Sequence, residues 1–175
     1  MNPTATGNNP LPPSAIAQAI RSMAAAIADN PVHLIGIRRG GSLVADAIAS
    51  QLQTQGKTVL RGDLDINFYR DDLDTIGPNP EVRSSHLPFD ITDKTIWLID
   101  DVLQSGRTIR AALGELFDYG RPAAIRLAIL IDRGGRQLPI QPDLTGIQHE
   151  VSATTAIDLD CQNGQWSVAL RTITP

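Results

Sequence analysis

Three short, almost wholly apolar runs constrain this chain most: Val32–Ile37, Thr95–Ile99 and Ala124–Ile131. Each has strand length and lacks the polar alternation of a sheet with one wet face, so each reads as a strand buried on both sides. Stretches of helical period lie between them. Ile16, Ile20, Met23 and Ile27 recur at helical spacing between Pro13 and Pro31. Leu43, Val44, Ala47, Ile48 and Leu52 make a second stripe, closed by Gly56 as a C-terminal cap. Ile109, Leu113, Leu116 and Phe117 mark a third, ending at Gly120-Arg-Pro122. Strands that alternate with helices predict an α/β fold whose central, mostly parallel sheet is flanked by helices.

The remaining segments fit one domain. Leu60, Leu64, Ile66 and Phe68 fall on alternate positions, so Thr58–Tyr69 reads as a strand with one exposed face. Asp71–Pro88 is polar, rich in Pro, Gly and Ser, and without either period; so long a loop is usually functional or mobile. Two shorter strands are expected near Ala156–Leu159 and Trp166–Thr172, joined by a turn at Gln162-Asn-Gly164. Residues 1–12 read as a flexible N-terminal tail without the features of a secretory signal, and 13–175 as a single domain.

Composition excludes several classes. With 42% hydrophobic and 19% charged residues the chain is neither disordered nor membrane-spanning. Cys161 is the one cysteine, which rules out an intramolecular disulfide and points to a reducing cytoplasm. His33, His86 and His149 are scattered, against a protein-only zinc site. A net charge of −4 and a pI near 5.2 disfavour bulk nucleic-acid binding. Any basic face would have to be assembled from Arg21, Arg61, Arg110, Arg126 and Arg136.

Chemistry concentrates after the second apolar run. Asp100 and Asp101 follow it directly, and adjacent carboxylates are costly to bury unpaired. They suit two neighbouring ribose hydroxyls, or a magnesium ion held through water. Val102, Leu103 and the loop Gln104-Ser-Gly-Arg-Thr108 come next, opening a helix whose N–H groups and hydroxyls (Ser105, Thr108) can ring a phosphate. Gly106 allows close backbone approach. Simple helix capping competes with this reading, yet capping needs one such residue rather than a diacid and a hydroxyl–glycine–hydroxyl loop. Gly36-Ile-Arg-Arg-Gly-Gly41, after the first apolar run, could neutralise a second anion through Arg38 and Arg39, with Gly40 and Gly41 presenting N–H groups. Taken alone, it also fits a glycine-rich turn with surface arginines.

The pattern from Ile96 to Thr108 resembles the ribose-phosphate signature of type I phosphoribosyltransferases. Tyr69-Arg-Asp-Asp72, Leu87-Pro-Phe-Asp-Ile-Thr-Asp-Lys94, Gly120-Arg-Pro122, Ile131-Asp-Arg-Gly134 and Leu138-Pro-Ile140 are similar to the PyrR family of pyrimidine-operon regulators and uracil phosphoribosyltransferases. The likeness runs from about Leu34 to Gly146. It implies the type I fold with a small hood from the chain ends. It also implies transfer from phosphoribosyl pyrophosphate to uracil, giving UMP and pyrophosphate.

By that resemblance Asp100 and Asp101 hold the ribose, Val102 to Thr108 (Arg107 included) the 5′-phosphate, and Arg38 to Gly41 the pyrophosphate. Arg70 and the stretch Asp71–Arg83 stand where the family has a closing loop. Asp132 and Arg133 approach the base, or Asp132 joins Asp100 and Asp101 around magnesium through water; by position Asp132 equally fits a turn cap. Family members usually carry Thr at Arg39 and an aromatic or small residue at Gln104. The resemblance further implies UMP-dependent binding of pyrimidine-operon leader mRNA and assembly as a dimer or tetramer. An RNA-binding regulator with little catalysis and a purine phosphoribosyltransferase are the alternative readings, because fold and ribose-phosphate motif do not set base choice.

Overall fold

The computed structural model describes residues 11–66 and 85–173. Strands β1 (Val32–Ile37), β2 (Val59–Leu64), β3 (Thr95–Leu103), β4 (Ala124–Asp132) and β5 (Leu144–Gln148) form one parallel sheet in the order β2-β1-β3-β4-β5. Helices α1 (Pro13–Ala26) and α2 (Gly40–Thr54) cover one face and α3 (Arg107–Asp118) the other.

The apolar runs explain the two cores. Side chains alternate across a strand, so Leu34, Trp97 and Ile99 join Ile16, Met23, Val44 and Ile48 on the α1–α2 side. Ile35, Ile37, Ile96 and Leu98 pack with Ile109, Ala112 and Leu116 of α3 on the opposite side. A strand with no polar face has only one stable position, between two layers.

Helix α2 ends as the sequence predicts. Gly56 has φ +79, its N–H bonds the Gln53 carbonyl, and Lys57 N–H reaches back to Leu52. Strands β6 (Thr155–Gln162) and β7 (Gln165–Thr172) form an antiparallel hairpin. Its two-residue turn, Asn163 and Gly164, has φ of 51 and 77, the positive pair that a tight hairpin turn needs.

The structure departs from the sequence reading at five places. Strand β3 does not stop at Ile99 but continues through Leu103, so the diacid lies within the strand. The edge strand β2 is shorter than Thr58–Tyr69, and positions 67–69 fall outside the described residues. Phe117 leaves the buried stripe of α3 and is 45% exposed, under the guanidinium of Arg121. Strand β5 was not expected, since Leu144-Thr-Gly-Ile-Gln148 has too few apolar residues to show a period. Leu11, within the expected tail, is buried in the core; residues 1–10 lie outside those described. Among the described residues no helix is long and apolar enough to cross a membrane.

The strand order decides where a ligand can sit. From β1 the chain moves outward to β2, then returns across β1 to place β3 on its other side. The connections after β1 and β3 therefore diverge, opening a crevice at the carboxyl ends of those two strands.

Candidate active site

A cleft of about 510 Å³ occupies that crevice. Arg38, Arg39 and Gly40 line it from the end of β1, Asp100 to Gly106 and Thr108 from the end of β3, and Arg133 from β4. Ala156 to Leu159 of the hairpin close it from above. Helices α2 and α3 both begin here, so two positive helix ends converge on one volume.

The diacid is packed against the first turn of α2. Asp100 is 5% exposed, and its Oδ1 accepts the Asp101 N–H at 3.0 Å. A Cβ on Gly40 would overlap the Asp101 carboxylate, and one on Gly41 would stand 2.5 Å from the Ile99 carbonyl oxygen. The two glycines thus let a helix start directly on the carboxylates, where its N-terminal charge offsets theirs. Gly41 itself stands behind the cleft wall rather than on it.

The Arg38–Arg39 loop is held mainly by side chains. Asp63 on β2 accepts from Ser42 Oγ at 2.5 Å and from Arg61 Nη2 at 2.8 Å, with Arg38 Nη2 3.9 Å away. Arg61 also donates to Asp46 at 2.8 Å and to the Ser42 carbonyl at 3.1 Å. Burial alone would push the Asp63 carboxyl up, but the Ser42 and Arg61 hydrogen bonds and the Arg61 and Arg38 charges hold it below the ordinary range. The Arg38–Arg39 peptide bond is cis. Sequence reasoning missed Asp63 and Ser42; the signal available was Arg61-Gly-Asp63, opposite charges two apart and so on one face of a strand.

The loop after β3 is held by its carbonyls. Arg133 N–H bonds the Leu103 carbonyl at 3.1 Å, and the Gln137 and Leu138 N–H groups both bond that of Ser105, at 3.0 and 3.1 Å. The Gly106 carbonyl caps back to Arg110 N–H at 3.0 Å. In a trans peptide the next N–H points opposite to the carbonyl. Tying these carbonyls away from the cleft therefore turns the N–H groups of Gln104 and Gly106 toward it. Gly106 has φ +90 and no room for a side chain: a Cβ would meet Ile140 at 3.2 Å.

Most of the predicted residues come together here; besides Gly41 there are three exceptions. Arg107 is not on the cleft; it donates to Gln137 at 3.0 Å. Asp132 lies outside it, lining a neighbouring hollow, and its two oxygens accept from Arg136 at 2.9 and 2.6 Å. Its Oδ1 also accepts the Gly134 N–H at 3.0 Å, the contact expected of a turn cap. Arg70 and the stretch Asp71–Arg83 lie outside the described residues. Among the described residues before and after it, Asp63 and His86 form a two-bond bridge, 2.8 Å each, and Ser85 Oγ accepts the Asp65 N–H at 2.9 Å.

Arg133 does line the cleft, 5% exposed, and donates to the Ser152 carbonyl at 2.8 Å. Desolvation pushes its guanidinium below the ordinary value. It links the end of β4 to the start of the hairpin. The arginines that a basic face would need are partly committed elsewhere: Arg61 to Asp46 and Asp63, and Arg136 to Asp132. Among the described residues no group of three His, Cys, Asp or Glu side chains could hold a metal. Two carboxylates fit a magnesium ion whose other ligands are water and substrate oxygens, not a protein-only cage.

A cleft with a diacid between two helix starts defines a class, and the chain belongs to it: the model of the phosphoribosyl transferase domain matches residues 11–161. Solved structures agree on the fold. A Trypanosoma cruzi hypoxanthine phosphoribosyl transferase superposes with TM-score 0.65 at 18% identity, covering 85% of this chain and 80% of its own. A purine phosphoribosyltransferase from Pyrococcus horikoshii gives 0.58 at 20% identity, covering 83% of this chain and 87% of its own.

Closer relatives narrow the class to the PyrR family. The chain is 50% identical over 131 residues to the Bifunctional protein PyrR of Nostoc punctiforme, covering 74% of this chain and 73% of that protein. It is 44% identical over 141 residues to that of Akkermansia muciniphila, covering 80% of each.

Proposed function

We propose that the chain is a uracil phosphoribosyltransferase, and that the convergence of the diacid, the two helix starts and the hairpin edge on one cleft carries the reading. The bond from C1′ to pyrophosphate breaks, the leaving oxygen takes the electron pair, and uracil N1 forms the new bond to C1′ as its proton is released. Asp100 and Asp101 accept hydrogen bonds from the ribose 2′ and 3′ hydroxyls and face the positive charge that develops on the ring. The Gln104–Thr108 loop takes the 5′-phosphate, and Arg38 with Arg39 neutralises the departing pyrophosphate. Magnesium, bound by the diacid through water and by substrate oxygens, would supply further charge neutralisation.

The hairpin supplies the base site. Ile173 N–H bonds the Thr154 carbonyl at 2.7 Å, which fixes the register phase. Residues 154, 156 and 158 direct their backbone groups to β7, leaving those of Ile157 and Leu159 on the free edge of β6, beside the cleft. One such N–H and C=O pair complements an imide edge, a ring carbonyl next to a ring N–H. Uracil presents that edge and cytosine does not. Hypoxanthine presents it too, and the PyrR resemblance favours the pyrimidine.

Incubation with uracil, phosphoribosyl pyrophosphate and magnesium should give UMP, with hypoxanthine, guanine and xanthine inert. Product from a purine alone would support the purine alternative, and no product from any base would contradict the enzyme reading.

The relatives' name, bifunctional, favours a second activity, UMP-dependent binding of pyrimidine-operon leader mRNA. A gel shift with and without UMP tests it, and absent or salt-insensitive binding counts against it.

A further inference from the structure

Strands β4 and β5 are parallel neighbours, yet residues 133–143 between them form no helix. Parallel neighbours ordinarily need a helical crossover. Here the connection runs beneath the loop that follows β3, and one side chain in it makes four hydrogen bonds. Arg136 Nη1 and Nη2 pair with both oxygens of Asp132, at 2.9 and 2.6 Å. Nη1 also reaches the Gln104 carbonyl at 3.1 Å, and Nε the Ile140 carbonyl at 3.0 Å.

We propose that Arg136, aligned by Asp132, is a positioning residue for the 5′-phosphate loop. The inference rests on the reading of the cleft as a phosphoribosyl site, and adds a group that does not touch the ligand. The carbonyls of Leu103 and Ser105 are drawn back by main-chain N–H groups of the same connection. That of Gln104, between them, has Arg136 as its partner. With this carbonyl turned away, the following N–H, of Ser105, faces the cleft together with those of Gln104 and Gly106. Three successive N–H groups pointing one way form an anion-binding concavity. Without Arg136 the Gln104–Ser105 peptide is free to rotate, and its carbonyl could then present negative charge to the phosphate.

The arrangement is fixed from both ends. Asp132 is 8% exposed and also accepts the Gly134 N–H at 3.0 Å, so its carboxylate has a set orientation. The bond from Nε to Ile140 holds the residue whose side chain lies against Gly106. Lysine could keep the charge opposite Asp132 but has no fork to reach Gln104 and Ile140 as well.

The affinities of UMP and uridine, measured by titration on wild type, Arg136→Ala and Arg136→Lys, isolate the phosphate. In the wild type UMP should bind well ahead of uridine. In Arg136→Ala that advantage should shrink by at least about tenfold while uridine affinity stays within about twofold, the loss expected for a charged hydrogen bond. Arg136→Lys should fall between them, and it carries the test should the alanine variant not fold. An unchanged UMP-to-uridine ratio, or equal losses for both ligands, would overturn the positioning role while leaving the site reading intact. A wild-type protein that binds neither UMP nor uridine would overturn both.

Discussion

The two loops that flank the cleft start from the same local plan, a buried strand turning into a helix, and are secured in different ways. The loop after β3 is fixed through its backbone: three consecutive carbonyls are tied to one neighbouring segment, and Gly106 fits a spot with no space for a Cβ. The loop after β1 is fixed through side chains and close packing, with Asp63 and Arg61 behind it and Gly40 against the diacid. A backbone-locked cradle suits a phosphate that stays on the substrate throughout. A loop of cations held by side chains over a packed glycine suits an anion that must leave. Preorganisation is therefore greatest where charge does not change hands.

Substitutions can break this contrast. The largest effect is expected at Gly40→Ala, whose Cβ would displace the Asp101 carboxylate. With Asp101 in its proposed role on the ribose, that displacement should cost on the order of a hundredfold in kcat/KM. Because the obstacle is a side chain, the melting temperature should move little; a large drop in stability with activity retained would contradict the arrangement.

Gly106→Ala tests the other loop and should reverse the balance. Its φ of +90 is unfavourable for alanine by about 1–2 kcal/mol, and Ile140 must shift as well. Denaturant unfolding should record that loss, accompanied by weaker UMP binding. Stability equal to wild type would show that the loop relaxes freely and is not locked.

The smallest effect belongs to Asp63→Asn. The Asp63 carboxyl is held below its ordinary 3.8, so its contribution is present above that value and disappears as pH falls through the lower folded value. The variant should lose about 1 kcal/mol at neutral pH, with the gap to wild type closing below about pH 4. A gap that is constant with pH would remove the charge from the explanation.

How much of this was legible in the sequence follows from the range of each interaction. Runs such as Val32–Ile37 and Ala124–Ile131 announce themselves because a strand buried on both faces over most of its length must be mostly apolar, and both bounds nearly match the strands found. The Asn163-Gly164 turn was equally clear, since its positive φ values demand those residue types. The diacid and phosphate loop are contiguous and were readable together. Strand β5 was not, because a strand held between β4 and the α1 side can be built from few large apolar residues. The Arg136 partner of Asp132 was hidden for a similar reason. A carboxylate at a strand end looks available until a partner four residues on, in a loop of unforeseeable path, is seen to occupy it. The Asp63–Arg61 pair behind Arg38 depends on β2 lying beside β1, which only the sheet order reveals.

In the proposed complex the 5′-phosphate and the ribose lie between these loops with a fixed polarity. A crystal structure of the UMP complex tests it most directly. The phosphate should accept hydrogen bonds from the N–H groups of Ser105 and Gly106, with the ribose hydroxyls on Asp100 and Asp101 and the base at Ile157. Phosphate seated instead on Arg38 to Gly41, or UMP bound outside the cleft, would contradict it.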